Sequence, residues 1–285
     1  MKFERQYFNL LVNDWEVSEH VKSAFRVTDR GLFVPGNIIP ETSKRIYEDL
    51  IIQIAKTSSM SQPSVVARMT HDLDVHPGQR VLEIGTASGY QAGIIAHMVG
   101  HEGRVYTIEA DQALAQCATS RLDRLGYKNV EVHHGNGLVG LPEQAPFDRI
   151  IITASARSIS QQWTNQLKEG GTIVVPVGFD PLQANLIEAK KVAEDQPLEQ
   201  KKGLSVRFYP LQGDEEGGFS RIYQQTLTRA KFNHIAEYAM RVGMKPNDYI
   251  ILQTKNSEVS LADFIDRIVI SEERFIELSI KYDSE

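Results

Sequence analysis

Cysteine is scarce in this sequence: Cys117 is the single cysteine among 285 residues, which excludes an intramolecular disulfide framework. A chain that lacks disulfides is typical of a reducing compartment, and we expect a cytoplasmic protein. Its stability must then come from a packed core. The composition permits one, since 41% hydrophobic and 24% charged residues are ordinary values for a globular protein.

Long apolar runs are also missing. No stretch approaches the roughly 20 apolar residues that a membrane-spanning helix needs. The N-terminal sequence MKFERQYFNLLVNDWEV interleaves charged and apolar residues, which is unlike a secretory signal. We therefore expect no membrane association.

The chain has no excess of basic residues. Lys and Arg number 31 against 37 Asp and Glu, which gives a net charge of −6. Nucleic-acid-binding domains normally carry a basic face, so we expect no nucleic-acid partner. His71 and His76 have no further metal-ligating residues at a suitable spacing, and we expect no metal site.

The middle of the chain alternates short apolar runs with segments of helical periodicity. This alternation is typical of βαβ units and predicts an α/β fold: a doubly wound, mostly parallel sheet with helices on both faces. The predicted strands cover 79–85, 103–111, 130–136, 146–155 and 172–178, and the predicted helices cover 90–100, 112–126 and 161–171.

The flanking sequence suggests three parts: an N-terminal segment packed on the core, a cofactor-binding core, and a C-terminal α+β extension of unknown role, at 1–56, 57–213 and 214–285. Apart from a loop over 33–41, the first part is predicted to be helical. The core is predicted to end in two further strands, 182–191 and 204–211, with 192–203 as an exposed connection.

The sequence VLEIGTASGYQ, residues 81–91, joins the first strand of this core to its helix. Its small residues, Gly85–Gly89, let backbone N–H groups and the helix N-terminus approach a ligand. A dinucleotide dehydrogenase would use G-x-G-x-x-G, whereas the spacing here is G-x-A-x-G followed by Tyr90, and a fingerprint counted from Ala87 would end at Ala92, which is not glycine either. The spacing favours the alternative, a smaller adenosine cofactor such as S-adenosylmethionine.

Polar residues on the predicted strands support a nucleoside site. Glu109 ends the second strand, about twenty residues beyond the loop, where a carboxylate can accept both hydroxyls of a ribose. Asn136 ends the third strand and can offer an acceptor and a donor to a base edge. Glu83 lies inside the first strand, where a carboxylate is costly without partners, so we expect it to anchor the loop or meet a cationic ligand group.

Nine segments match the motifs of a known family in order: AFRVTDRGLFVP (24–35), YED (47–49), SMSQPSVVARM (59–69), HPGQRVLEIGTASGYQAGIIA, GRVYTIEAD, GYKNVEVHHGNG, APFDRIIITAS, LKEGGTIVVPVG and VRFYPLQG (206–213). Together they resemble protein-L-isoaspartate O-methyltransferases. The resemblance covers roughly residues 20–213, and the combination of SMSQP with VRFYPL is specific to that family.

The resemblance implies a Rossmann-like class I methyltransferase fold, S-adenosylmethionine as methyl donor, and the side-chain carboxylate of an L-isoaspartyl residue in a protein or peptide as acceptor. It also implies that Ser61 is the active-site serine. The predicted cofactor contacts are Ser61, Glu83, Gly85, Thr86, Ala87, Ser88, Gly89, Tyr90, Glu109, Ala110, Gly135, Asn136 and Gly137, and the predicted substrate contacts are Ser59, Ser61, Val206 and Arg207.

Four positions depart from the family pattern. Ser59 replaces a threonine and keeps its hydroxyl, Asn136 replaces an aspartate and loses its charge, and Ser64 stands where some members carry histidine. Ala87 adds a methyl group to the loop, which excludes a backbone conformation reserved for glycine or a contact too tight for a Cβ. We expect cofactor binding to survive Ala87, whereas the effect of Asn136 on cofactor affinity and of Ser64 on substrate contacts is left open by the sequence.

The sequence leaves the exact role open. One alternative is a repair enzyme for isoaspartyl sites in damaged proteins. Another is an enzyme dedicated to an aspartate or isoaspartate of one ribosomally made peptide, with 214–285 binding that substrate. A non-catalytic scaffold is disfavoured by Ser61 and Glu109, and a nucleic-acid methyltransferase by TASARS after the fourth strand, where Asn-Pro-Pro-Tyr would be expected. The oligomeric state cannot be read from the sequence.

Overall fold

The computed structural model describes residues 2–36, 45–55, 58–178, 184–193 and 196–211. The predicted C-terminal extension, 214–285, lies outside the described residues, as does most of the predicted loop at 33–41.

The N-terminal part contains two helices, α1 (Lys2–Asn13) and α2 (Glu19–Val27), and a 3-10 turn, Arg30–Phe33. It was predicted to be helical to residue 56, but an antiparallel hairpin of β1 (Ile52–Ala55) and β2 (Ser58–Met60) follows. Ile52, Ile54 and Met60 are buried, so the hairpin alternates apolar and polar residues, the strand period that the helical prediction overlooked.

A seven-stranded sheet follows, built from β3 (Arg80–Ile84), β4 (Arg104–Glu109), β5 (Val130–His134), β6 (Phe147–Ile152), β7 (Leu167–Val177), β8 (Ala184–Lys190) and β9 (Glu199–Val206). The spatial order is β5-β4-β3-β6-β7-β8-β9. The pairs from β5 to β7 are parallel, whereas β8 is antiparallel to β7 and β9 is antiparallel to β8. The sheet is therefore mostly parallel, as predicted.

Four helices alternate with the strands: α3 (Pro63–Leu73), α4 (Tyr90–Val99), α5 (Gln112–Leu125) and α6 (Gln161–Gln166). Successive strand residues pack into two separate cores, since Val81 and Ile151 belong to one and Leu82 to the other. Both faces of the sheet are thus covered. Among the residues that the structure describes, none of the helices combines the length and apolar character needed to cross a bilayer.

One predicted helix is too long. The sequence predicted a helix over 161–171, but α6 ends at Gln166 and β7 begins at Leu167, whose backbone is extended (φ −89°, ψ 134°). Leu167 is 2% exposed and pairs with Phe147, while the Lys168 ammonium lies 2.6 Å from a carboxylate oxygen of Asp148. Tertiary packing and this ion pair stabilise the strand where local periodicity indicated a helix.

The last strand lies earlier than predicted. The sequence placed it at 204–211, but β9 is Glu199–Val206, and its charged first half pairs with β8. Residues 207–211 cross the carboxyl end of β6 instead, where Ser155 N–H donates to the Tyr209 carbonyl (2.8 Å) and Leu211 N–H donates to the Ser155 carbonyl (2.9 Å). This crossing brings the family-specific segment to the edge of the sheet that carries the ligand site.

Asn129, just before β5, fastens the far end of α4. Its side-chain amide donates to the carbonyls of Ala96 and Gly100, each at 2.8 Å, so two carbonyls at the helix C-terminus are satisfied. Because α4 begins at the loop Gly85–Gly89, this contact helps to fix the helix that carries the loop.

We predict that Asn129→Ala lowers the free energy of unfolding by about 1–3 kcal/mol, because two partly buried carbonyls lose their partner. Urea unfolding followed by far-UV circular dichroism measures the change. Lys128→Ala, at the exposed neighbouring position, should change stability by less than about 0.5 kcal/mol. Equal stability of the two variants would contradict this role of Asn129.

Candidate functional site

The loop Gly85–Gly89 lies between β3 and α4, at the carboxyl end of the parallel strands, where ligands bind in open α/β sheets. Gly85 (φ 104°) and Gly89 (φ 84°) adopt backbone conformations that side chains disfavour. A Cβ on Gly85 would also overlap the Thr153 hydroxyl, which donates to the Gly85 carbonyl at 2.7 Å. The two glycines are therefore required by the turn itself.

Ala87 takes the left-handed conformation too, with φ 48°. The sequence analysis expected alanine to exclude such a conformation, and this expectation is wrong. The Ala87 N–H donates to Glu109 Oε2 at 2.8 Å, and this hydrogen bond holds the residue in place. A left-handed residue other than glycine costs about 1–2 kcal/mol, so the loop stores modest strain.

Glu109 ends β4 and touches two segments of backbone. Its Oε2 accepts from Ala87, and its Oε1 accepts from Asp111 N–H at 3.1 Å. The residue as a whole is buried, with 9% of its surface exposed. Next to it, Ala110 is exposed, and its carbonyl lies 3.2 Å from His134 Nε2. Glu109 thus fixes the loop from the end of β4.

Glu83 lies below the loop, inside β3, and is completely buried. Its Oε2 accepts a hydrogen bond from the Thr107 hydroxyl (2.5 Å), and that hydroxyl lies 2.6 Å from the Thr86 hydroxyl in the loop. Its other oxygen, Oε1, has no hydrogen-bond partner among the described residues. Glu83 therefore anchors the loop through two hydroxyl groups, one of the two roles that the sequence predicted.

The protonation of Glu83 is set by this environment. Burial raises the pKa of the Glu83 carboxyl to about 8; the hydrogen bond from Thr107 opposes the rise, and the nearby Glu109 carboxylate adds to it. At neutral pH the folded protein thus holds Glu83 mostly as the neutral acid.

A third contact fixes the loop from α5. Arg121 Nη1 donates to the Ser88 carbonyl at 2.8 Å, and burial lowers the pKa of the arginine. The Ser88 hydroxyl accepts from Tyr90 N–H (3.3 Å), so this side chain faces the helix start. Arg121 was not predicted from the sequence, because an arginine on a helix surface has no local pattern that marks such a contact.

Tyr90 was predicted to be a cofactor contact, but its side chain lies in the core. It is 3% exposed and packs against the rings of Phe25 and Phe33. The guanidinium of Arg30 lies 5.3 Å from the centre of its ring. Only the backbone of Tyr90 borders the loop, because the side chain is occupied by the N-terminal helices.

Arg30 links the N-terminal segment to this region and was not singled out from the sequence. It is 0% exposed, and it donates to the carbonyls of Ile46 (3.0 Å) and Leu50 (3.1 Å). It thereby connects the chain before β1 to Tyr90 at the start of α4. No local sequence pattern marks Arg30 as buried or as bound to these two carbonyls, so its role could not be predicted from the sequence.

The turn after β5 borders the same edge. Gly135 N–H donates to the Glu109 carbonyl (3.0 Å), which places the turn beside β4. Asn136 is exposed; its Oδ1 accepts from Leu138 N–H (2.9 Å), and within the described residues its amide nitrogen makes no hydrogen bond. A Cβ on Gly137 would overlap Ile84, so the turn approaches β3 as closely as glycine allows.

Trp163, on α6, supports this turn. Its indole N–H donates to the Gly137 carbonyl at 2.8 Å, and its ring is 0% exposed. The sequence analysis interpreted Trp163 as a packing residue, and the structure adds a hydrogen bond to the predicted adenine-binding segment. A buried tryptophan N–H usually has a hydrogen-bond partner, so the presence of Trp163 in the sequence could have indicated that such a partner exists.

The predicted catalytic serine follows the β1–β2 hairpin. Ser59 pairs with Gln53 in the hairpin, and Ser59 and Ser61 flank the buried Met60. Ser61 is half-buried, and within the described part of the chain its hydroxyl has no hydrogen-bond partner. The hydroxyl is therefore available to a ligand.

Asp49 explains why Ser61 is available. The N-cap residue of α3 is Gln62, which makes no capping hydrogen bond with its side chain. Asp49 caps the helix from outside instead: it accepts from Ser64 N–H, from the Ser64 hydroxyl and from the Gln62 amide, each at 2.7 Å. Helix capping thus does not require the Ser61 hydroxyl.

The segment after β9 connects the hairpin to the cofactor side. Val206 is buried and pairs with Ala184, while Arg207 is exposed. The Tyr209 hydroxyl donates to Gln53 Oε1 at 2.9 Å, which joins this segment to the hairpin that carries Ser59. Leu211 approaches Gly137, with its Cδ1 3.2 Å from where a Cβ of that glycine would lie. The predicted substrate and cofactor residues thus border one another.

These features fit an adenosine cofactor. The loop has the backbone freedom, and Glu109 places its carboxylate at the strand end where a ribose is expected. Within the part of the chain that the structure describes, the Asn136 amide nitrogen is unused where a base edge is expected, and one buried oxygen of Glu83 beneath the loop is unpaired. No group of three or more potential metal ligands occurs within the described ranges.

Comparisons with known proteins show which family this chain resembles. Residues 6–216 match the family model described as Protein-L-isoaspartate(D-aspartate) O-methyltransferase. A protein-L-isoaspartate O-methyltransferase of Ignicoccus hospitalis is 40% identical over 207 residues, which are 73% of this chain and 95% of that protein. One from Methanothermobacter thermautotrophicus is 36% identical over 73% of this chain and 94% of that protein.

A solved structure carries the same name. It is titled protein-L-isoaspartate O-methyltransferase, has a TM-score of 0.68 and 30% identity, and the match covers 74% of this chain and 66% of that chain. The sheet, the glycine loop and the carboxylate at the end of β4 define a class I methyltransferase, which confirms the predicted fold class. Within that class, the chain belongs to the protein-L-isoaspartate O-methyltransferase family. This confirms the family predicted from the motifs, and the relatives give no support to a dedicated peptide-tailoring enzyme.

We predict that Ala87→Gly stabilises the protein by at most about 1 kcal/mol, because relief of the left-handed strain is partly offset by the greater freedom of glycine in the unfolded chain. Affinity for S-adenosylmethionine, measured by calorimetry, should stay close to that of the wild type, since the loop already has the required conformation.

Ala115→Gly is the matched control. It makes the same chemical change inside α5, where the backbone is right-handed, and should destabilise by about 1 kcal/mol. An Ala87→Gly variant that binds S-adenosylmethionine far more tightly would show that the alanine impairs the site.

Proposed function

We propose that this chain transfers a methyl group from S-adenosylmethionine to the side-chain carboxylate of L-isoaspartyl residues in proteins and peptides. The observation that carries the proposal is the state of Ser61: helix capping does not require its hydroxyl, and the hairpin that precedes it contacts the segment after β9 through Gln53 and Tyr209. The family membership supports the same reaction.

Three groups of residues hold the cofactor in this proposal. The backbone of Gly85–Gly89 and the Glu83 carboxyl beneath it border the methionine part, and Glu109 with Ala110 binds the ribose. Gly135, Asn136 and Gly137 contact the adenine, with the Asn136 amide as hydrogen-bond donor. The bound cofactor supplies a methyl group on a positively charged sulfur.

The acceptor needs little activation. A carboxylate is ionised at neutral pH, so methylation of its oxygen requires no general base. Ser61 and the neighbouring Ser59 orient the carboxylate, and holding its oxygen in line with the methyl group provides most of the rate by proximity. Since the carboxylate loses its charge in the reaction, a hydrogen bond from Ser61 weakens on the way to the transition state, and its contribution is positioning.

The substrate main chain lies along the exposed side of the segment after β9. Arg207 and the backbone beside Val206 contact the peptide there, opposite the hairpin that carries Ser59. We place the enzyme in the cytoplasm, where Cys117 stays reduced. Damaged proteins carrying isoaspartate are its substrates.

A methyl-transfer assay tests the proposal. The protein is incubated with labelled S-adenosylmethionine and either an isoaspartyl peptide or its aspartyl twin of the same sequence. We expect label in the isoaspartyl peptide alone. Equal labelling of both peptides, or of neither while S-adenosylmethionine still binds in calorimetry, would reject the proposed substrate.

Ser61→Ala tests the catalytic assignment. We expect it to bind S-adenosylmethionine normally and to lose about 10²-fold or more in turnover, because an effect of misplaced reacting groups is of that order. The methyl-transfer assay measures kcat, and calorimetry measures the affinity for S-adenosylmethionine separately. Ser120→Ala, exposed on α5, serves as control and should match the wild type. Wild-type turnover by Ser61→Ala would refute the role of Ser61.

A further inference from the structure

One short stretch of chain, residues 46–52, holds the backbone that leads into Ser61. Met60, the residue before the serine, is 3% exposed and pairs with Ile52 in the hairpin. A side chain packed in the core can move little without disturbing its neighbours. Because Met60 is both buried and paired, it fixes the direction in which the chain enters Ser61.

The same stretch holds the backbone that leaves Ser61. The Asp49 carboxylate accepts from the Gln62 amide, from the Ser64 N–H and from the Ser64 hydroxyl, each at 2.7 Å. Hydrogen bonds to an ionised acceptor are strong, so three of them leave the start of α3 little freedom to shift. Ser61 therefore lies between two attachment points, Ile52 and Asp49, that belong to a single segment.

Arg30 attaches this segment to the start of α4. Its guanidinium donates to the carbonyls of Ile46 and Leu50, which lie on either side of Asp49 in the chain. The same guanidinium lies 5.3 Å from the ring centre of Tyr90, the first residue of α4. A continuous series of contacts thus leads from the end of the glycine loop to the serine.

We propose that Asp49 is a positioning residue, which fixes the Ser61 hydroxyl relative to the loop Gly85–Gly89. This inference rests on the proposed function. Methyl transfer requires the acceptor oxygen to lie in line with the methyl group, and a misplacement of about 1 Å can cost about 100-fold in rate. A serine that orients the acceptor must itself be held in place, and Asp49 provides that support through the start of α3.

A purely structural role of Asp49 would give a different result. If Asp49 only capped α3, its loss would lower the stability and leave the turnover of the folded enzyme unchanged. If Asp49 positions Ser61, its loss slows methyl transfer, and the effect requires the Ser61 hydroxyl. Substitutions that act through the same interaction are not additive, whereas independent ones are. A double variant therefore separates the two roles.

The experiment compares the full-length wild type with Asp49→Asn, Ser61→Ala and the double variant. The Asp49→Asn change keeps an acceptor for the Ser64 N–H and loses the oxygen that accepts from the Gln62 amide and the Ser64 hydroxyl. Each protein is checked for folding by circular dichroism. Single-turnover transfer of label from S-adenosylmethionine to an isoaspartyl peptide then measures the chemical step.

We expect Asp49→Asn to slow methyl transfer about tenfold when Ser61 is present and less than about twofold in the Ser61→Ala background. Affinity for S-adenosylmethionine, measured by calorimetry, should equal that of the wild type. Asp72→Asn is the matched control. It makes the same chemical change near the end of the same helix, where Asp72 pairs with Arg68 at 2.9 Å, and it should keep the wild-type rate.

Two outcomes overturn the inference and leave the proposed function standing: a wild-type rate in Asp49→Asn, or an equal loss with and without the Ser61 hydroxyl. A loss of rate in Asp72→Asn as large as in Asp49→Asn also overturns it, because the effect would then follow from the stability of α3. If the wild type transfers no label to the isoaspartyl peptide, the proposed function fails and the inference fails with it.

Discussion

The hydrogen bond between Ala87 N–H and the Glu109 carboxylate is the interaction on which the ligand site depends. It joins the loop after β3 to the end of β4, and it holds Ala87 in a conformation that alanine disfavours. The turn after β5 is bound to the same end of β4, because Gly135 N–H donates to the Glu109 carbonyl. One residue thus sets the distance between the segments assigned to the methionine, ribose and adenine parts of the cofactor.

Sequence reasoning succeeded where the signal is local. Gly85 and Gly89, followed by Glu109, have a spacing that reflects a single βαβ unit, so both the sheet and its ligand edge could be predicted. The contacts of Arg121, Asp49 and Trp163 could not, because each reaches a backbone group that is distant in sequence, and no fixed spacing marks such pairs. In two places the structure differs from the local sequence pattern because of tertiary packing. The chain is a strand from Leu167, where a helix was predicted, and β9 begins at Glu199, earlier than predicted.

Some polar groups around the loop hold its backbone in place, and others keep an atom that a ligand can use. Arg121 and Thr86 hold the loop, while one oxygen of the buried Glu83 carboxyl makes no hydrogen bond to the residues that the structure describes. Asp49 plays the corresponding part on the substrate side, since it satisfies the start of α3 and leaves Ser61 free. In both places a neighbouring residue meets the structural need, and the residue assigned to function keeps an unused polar group.

The contact between Tyr209 and Gln53 joins positions 156 residues apart. The cofactor edge is built mainly from consecutive βαβ units, which extend from β3 to α6. The substrate side, in contrast, is completed when the segment after β9 returns to the hairpin near the N-terminus. During synthesis, the growing chain can therefore assemble its nucleotide pocket well before it can admit a peptide, and activity appears last.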